Sequence, residues 1–241
     1  MGTLYLVRHG QASFGADDYD MLSPLGQQQS LRLGEYFRHK GVTFDAALTG
    51  TLNRQLQTFA GICKGMGVEP QSSPAPGHSE ASAAAGMGPH LRWPGLNEYD
   101  SAAVIGAVHP YLLAKPDTPE LYKHHFRLLK DGLAQWMAGA ASPLGMPSYK
   151  QFVAGTTGAL EHISRHCEGH VLLVSSGGPI AIAVSHVLGI SSPETTIDLN
   201  LGIRNCSVTE FAFSPRRHRL VTFNTLPHLD APEYARWVTF A

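Results

Sequence analysis

The sharpest chemical feature of the sequence is Arg8-His9-Gly10, which closes a short β-rich run at residues 3–7. In open α/β sheets, ligands bind at the carboxyl ends of strands. An arginine there offers a planar fork of donors that matches phosphate oxygens. A neighbouring histidine can act as a nucleophile or as an acid and base. A glycine lets backbone approach a ligand closely. Three residues alone serve a solvated strand end equally well, so their context must decide. A second arginine, Arg54, follows another strand-like segment at 44–49. It opens a helix in which Leu52, Leu56, Phe59, Ala60 and Cys63 recur at steps of three and four. A phosphate site without a metal takes its positive charge from side chains, and this chain carries two arginines just after strands.

These residues need a frame of strands alternating with helices. Ser23 reads as an N-cap with Pro24 at the first helical position, and Gly41 closes that helix. Val68 is a possible start of a third strand. Residues 71–95, rich in Ser, Ala, Gly and Pro, follow neither period and read as a long irregular loop. Residues 101–168 read as mainly helical. The apolar run 171–174 has the pattern of a strand covered on both faces. It turns through Ser175-Ser176-Gly177-Gly178-Pro179 into an apolar helix over 180–188. Segments 208–213 and 220–223 read as a closing hairpin with its turn at 214–218. The strand pattern resumes after 101–168, so that stretch is expected to elaborate a single domain, 1–241, and to cover the strand ends as a lid.

Composition narrows the function classes. The 241 residues are 43% hydrophobic and 15% charged, enough for a sizeable core and unlike a disordered chain. The net charge of −1 gives no bulk attraction to nucleic acid or anionic membrane. No apolar stretch approaches the ~20 residues of a membrane helix, and no leader pattern opens the chain. Cys63, Cys167 and Cys206 form no CxxC and read as buried free thiols, so a cytoplasmic protein is expected. His162, His166 and His170 recur every four residues, but Glu168-Gly169 ends the helix before His170, and no Cys or carboxylate cluster completes a metal site there. His186, among apolar neighbours, reads as a core histidine.

Taken together, the motifs resemble those of the histidine phosphatase superfamily, the phosphoglycerate mutase-like proteins. Leu6-Val7-Arg8-His9-Gly10 matches the family's opening signature in sequence and position. Leu22-Ser23-Pro24-Leu25-Gly26-Gln27 resembles its first-helix entry, and Leu52-Asn53-Arg54-Gln55-Leu56-Gln57-Thr58 its second-arginine segment. Leu96-Asn97-Glu98-Tyr99-Asp100 is similar to the segment holding the acid, 171–178 to the last catalytic strand, and Asn205-Cys206-Ser207 to the start of the strand that follows. The resemblance implies a three-layer α/β/α fold with a mostly parallel central sheet and a helical insertion near the active site. It also implies metal-independent, cofactor-free phosphoryl transfer on a small phosphorylated substrate. His9 would attack phosphorus, Arg8 and Arg54 would clamp the phosphate, and Glu98 would protonate the leaving oxygen.

Two positions depart from the family pattern. The usual second His after the last catalytic strand is Ser176 here, which can donate one hydrogen bond but no imidazolium charge. Gly15 stands where many members carry an Asn. Backbone amides at Gly177 and Gly178, opening the next helix, could compensate by binding the anion. A phosphatase is therefore expected; the alternatives are a phosphoglycerate mutase-type isomerase and a catalytically weak binder of phosphorylated ligands. Arg92 and Arg204 are the other basic residues near the expected site loops, and Trp93, Pro94, Tyr99 and Tyr111 are candidate lining groups. No Gly-x-Ser-x-Gly elbow, P-loop or dinucleotide fingerprint is present.

Overall fold

The computed structural model describes residues 1–13, 20–69, 86–111 and 118–240. Gly15 and the part of the 71–95 loop before residue 86 lie outside these. Strand β1 (Gly2–Arg8) leads to helix α1 (Pro24–His39). The Ser23 hydroxyl accepts from the Gly26 amide at 3.0 Å, the cap that Ser-Pro announced. Strand β2 (Ala46–Thr49), helix α2 (Asn53–Met66) and strand β3 (His90–Arg92) follow. Then come α3 (Ser101–Gly106), α4 (Pro119–Met137), α5 (Tyr149–His166), β4 (Gly169–Ser175), α6 (Gly177–Leu188) and α7 (Pro193–Gly202). The hairpin β5 (Val208–Ser214) and β6 (Arg217–Thr225) closes the sheet.

The strands form one six-stranded sheet in the order β3-β2-β4-β1-β5-β6. Neighbours from β3 to β1 pair in parallel, and β5 runs antiparallel to both β1 and β6. Alternation along each strand sends its side chains to two covered faces. Leu4, Leu6, Val171 and Leu173 pack with Ala159, Leu160 and Ile163 of α5 and Ile180 and Val184 of α6. Val7, Leu172 and Val174 pack on the other face with Leu33 and Phe37 of α1 and Phe59 and Ile62 of α2. The unbroken apolar run of β4 is the consequence, since both of its faces are buried in a three-layer α/β/α stack.

Three expectations are corrected here. The third strand is not at Val68 but inside the loop assigned to 71–95. At three residues, His90–Arg92 is too short for any period, and its pairing with Ala47–Thr49 of β2 makes it a strand. The hairpin turn is tighter than 214–218, because Ser214 already pairs with Arg217. Within 101–168, α5 is part of the layer that covers the sheet, as the burial of Ala159, Leu160 and Ile163 requires. Helices α3 and α4 instead join a satellite core with α6 and α7, built from Val104, Leu129, Leu133, Trp136, Ile182 and Ile197.

Candidate active site

The carboxyl ends of β1 and β4 lie side by side, Arg8 paired with Ser175. The His9 amide continues that ladder to the Ser175 carbonyl at 2.9 Å. On the other side, the Asn205 side chain donates to the His9 carbonyl at 3.2 Å, and the Cys206 amide donates to that of Arg8 at 3.1 Å. Cys206 takes a positive φ of 54° to make this contact. Backbone on both sides thus fixes the direction of the two side chains. Gly10 serves packing rather than a ligand: a Cβ there would sit 2.5 Å from the Gly26 carbonyl oxygen where α1 crosses.

His9 is 3% exposed. Its Nδ1 lies 2.7 Å from the Gly10 carbonyl oxygen, which can only accept, so Nδ1 carries the proton and Nε2 its lone pair. The Arg54 Nε–H points to Nε2 at 3.3 Å. Burial, then the guanidinium groups of Arg8 and Arg54, hold the His9 pKa well below the ordinary histidine range. The ring is therefore a neutral imidazole at neutral pH, with its nucleophilic lone pair on Nε2, where the Arg54 Nε–H now donates.

Both arginines are buried within the site. Arg8 donates through Nη1 to the Ile203 carbonyl. Arg54, in the first turn of α2, donates through Nη1 to Asp20 Oδ1 at 2.7 Å, while Asp20 Oδ2 accepts from the Asn53 amide at 2.8 Å. Asp20 was not singled out from sequence: one acid after a polar loop carries no signal of its own.

Glu98 follows a short 3-10 turn, Pro94–Leu96. Its carboxylate lies on the first turn of α6, with both oxygens 3.1 Å from the Gly178 amide and one 3.2 Å from the Tyr99 amide. Burial raises its pKa, opposed in turn by the Gly178 amide, Arg54, Arg8 and the Tyr99 amide. The net direction favours the protonated acid.

Arg8, His9, Arg54 and Glu98 share the wall of one cavity of about 320 Å³. Tyr99 lines it too. Ser176 and Gly177 do not reach it. The Ser176 side chain is fully buried, and its oxygen accepts from the Gln55 side chain at 2.8 Å, which also donates to the Leu96 carbonyl at 2.9 Å. That bond ties the end of β4 to α2 and to the turn carrying Glu98. The amide of Gly178, expected to face a bound anion, faces the Glu98 carboxylate instead.

Other candidates are placed elsewhere. Trp93 donates to the Gly155 carbonyl on α5 at 2.9 Å, Tyr111 is 76% exposed, and Pro94 is exposed. Arg92 is exposed and Arg204 donates to the Asn224 carbonyl, so neither lines the cavity. His186 is exposed rather than a core residue, because the last turn of α6 leaves the apolar layer. Among the described residues, no cluster of three or more His, Cys, Asp or Glu could hold a metal ion, and no helix is long and apolar enough to cross a membrane. Cys63 and Cys206 are buried and free; Cys167 is free and half-buried. The remaining lining comes from Ser101 and α4, both within the 101–168 stretch expected over the strand ends, and from α7 and Phe240, which sequence reasoning missed.

Comparison with known proteins agrees with this geometry. A 71-residue stretch is 37% identical to a 2,3-bisphosphoglycerate-dependent phosphoglycerate mutase from Nitrosomonas europaea, covering 27% of this chain and 30% of the relative's length. The fold superposes on YhfR from Bacillus stearothermophilus with a TM-score of 0.63 at 17% identity, over 95% of this chain and 99% of the other. It also superposes on a phosphoserine phosphatase from Entamoeba histolytica, solved with 3-phosphoglyceric acid, with a TM-score of 0.59 at 21% identity over 95% and 100% of the two chains. The model of the histidine phosphatase superfamily (branch 1) matches residues 4–75 and 81–226. A neutral histidine between two arginines, an acid on a helix end and a sequence match over nearly the whole chain all point the same way, and the protein belongs to the histidine phosphatase superfamily.

Proposed function

We propose that the protein hydrolyses small phosphomonoesters through a phosphohistidine at His9, without a metal or cofactor. The observation that carries this reading is the neutral, Nδ1-protonated ring of His9, whose Nε2 shares a cavity with Arg8, Arg54 and Glu98. In the first step Nε2 forms the N–P bond as the P–O bond to the leaving alcohol breaks. Glu98 gives its proton to that oxygen. In the second, Glu98 takes a proton from water as the water oxygen forms the new P–O bond and the N–P bond breaks. Free phosphate leaves, with Glu98 protonated and His9 neutral again. Arg8 and Arg54 stabilise charge on the equatorial oxygens in both steps.

Hydrolysis is favoured over a mutase reaction by the charges of the cavity. A phosphoglycerate carries a carboxylate beside its phosphate. The described lining holds only the two arginines next to His9 as permanent cations. With Ser176 buried away from the cavity, the clamp rests on those arginines. The test is phosphate release from an aryl phosphate by the wild type and His9→Ala. Release by the wild type alone supports the reading, and equal rates overturn it. Interconversion of phosphoglycerate isomers without release of phosphate would favour the mutase.

A further inference from the structure

We infer that the cavity selects phosphomonoesters whose leaving alcohol is apolar and carries no carboxylate, because the wall it shares with the His9 cluster is built of aromatic and aliphatic side chains. The inference rests on the phosphatase reading above and names the substrate class for it.

That wall is continuous. Tyr122, Phe126 and Leu129 lie at i, i+4 and i+7 on α4 and so share one helix face. The rings of Tyr122 and Phe126 stack with centroids 6.5 Å apart. Leu201 at the end of α7 and Phe240 complete the apolar lining. Tyr122 is 39% and Phe240 51% exposed, large rings left in water at the mouth of a reactive cavity. A ligand that covers the exposed part of these rings gains the hydrophobic contribution. The wall does not sit on a loose segment: Leu129 is anchored in the same packed cluster as Leu133, Trp136, Ile182 and Ile197.

Charge points the same way. Lys123, Arg127 and Lys130 of α4 are exposed and are not among the cavity-lining residues. Of the lining groups on α4, only His125 can ionise near neutrality, and burial and the neighbouring His124 lower its pKa. A substrate carboxylate against this wall would lose water and meet no permanent cation among the described lining residues besides Arg8 and Arg54, which serve the phosphate, and that is costly. The remaining polar groups, Ser101, Asn200 and the Tyr99 and Tyr122 hydroxyls, offer neutral hydrogen bonds, and the Asn200 amide is already directed to the Tyr99 hydroxyl at 2.8 Å.

The test compares three alkyl phosphates, so that leaving-group acidity does not set the order: 3-phenylpropyl phosphate, glycerol 3-phosphate and phosphoserine. The expected kcat/KM for the phenylpropyl ester exceeds that of each polar ester by roughly tenfold or more. Phe126→Ala should narrow that ratio mainly through KM, and Phe126→Arg should shift it toward phosphoserine. Equal rates, or a preference for phosphoserine, in an enzyme that turns over all three would overturn the inference and leave the phosphatase reading standing. Release of phosphate from none of them would overturn both. Binding of the same esters to His9→Ala, followed by calorimetry, gives the preference without turnover. Tighter phosphoserine binding there contradicts the inference.

Discussion

The Glu98 carboxylate caps the first turn of α6 through the Gly178 amide, with both oxygens 3.1 Å from that nitrogen. A helix N-terminus is a site for an anion, and here the protein fills it with its own acid. The contact holds Glu98 at the cavity wall, while burial raises its pKa against the pull of the Gly178 amide and the two arginines. A Cβ at residue 178 would lie 2.3 Å from one of those oxygens and 3.0 Å from the Tyr99 ring. Gly178→Ala should therefore displace the acid and lower kcat with KM less affected. Glu98→Gln should cost two to four orders of magnitude in kcat, roughly the worth of a general acid. Steady-state kinetics on an alkyl phosphate, which needs protonation on leaving, measures both.

The pH profile follows from two opposite shifts. His9 must be neutral to attack, and its pKa lies well below the ordinary 6.5, so the nucleophile stays competent as pH falls through that value. Glu98 must be protonated to help the alcohol leave, and its pKa is raised above 4.5, so the acid form persists to higher pH than for an exposed carboxyl. kcat/KM should hold up on the acid side of neutrality and fall as pH rises through the Glu98 pKa. In Glu98→Gln that fall should disappear from a much slower profile.

Arg54 works through a fork that contacts His9 Nε2 and Asp20 at once. A lysine keeps the charge but cannot reproduce two directed donors. Arg54→Ala should lower kcat/KM by roughly two to three orders of magnitude, and Arg54→Lys should recover little of it. Asp20→Asn should act more mildly, by loosening the guanidinium, and should appear first in KM. Kinetics of the three variants against the wild type decides the order.

His228 is 3% exposed, and neither ring nitrogen has a hydrogen-bond partner. Burial and then Arg32 lower its pKa from 6.5 to about 3. Between those values the unfolded chain binds a proton that the folded chain refuses, so stability is lost as pH falls below 6.5. This group contributes a slope of at most about 1.4 kcal/mol per pH unit. His228→Phe should flatten the dependence, read as a smaller difference between melting temperatures measured near neutrality and in mild acid.

Ser176 ties Gln55 to the end of β4 and, through the same amide, to the Leu96 carbonyl two residues before Glu98. Ser176→Ala would leave a buried Gln55 N–H without its acceptor, at a cost of about 1–3 kcal/mol. Chemical denaturation should register that loss.

The grouping of Arg8, His9, Arg54 and Glu98 around one cavity was legible because these residues sit beside local signals. Arg8-His9 ends an apolar strand, Arg54 lies in the first turn of an amphipathic helix, and Gly178 lies in the first turn of an apolar helix after the covered strand β4. The faces of β4 could be read from four apolar residues in a row. Strand β3 could not, because three residues hold no period and only pairing with β2 defines them. The fate of Ser176 was equally hidden, since the Gln55 amide that occupies it lies 121 positions away in the chain. The same holds for the apolar wall: Tyr122 and Phe126 face the cavity only because α4 packs on α6 and α7, and Phe240 arrives from the far end of the sequence.

The measurement that reaches the central claim most directly is mass spectrometry of the protein quenched during turnover of an aryl phosphate, under alkaline conditions that preserve phosphohistidine. One phosphoryl group on the peptide containing His9, absent from His9→Ala, is the predicted result. Sustained phosphate release with no phosphoryl group on His9 at any quench time, and undiminished in His9→Ala, would contradict it.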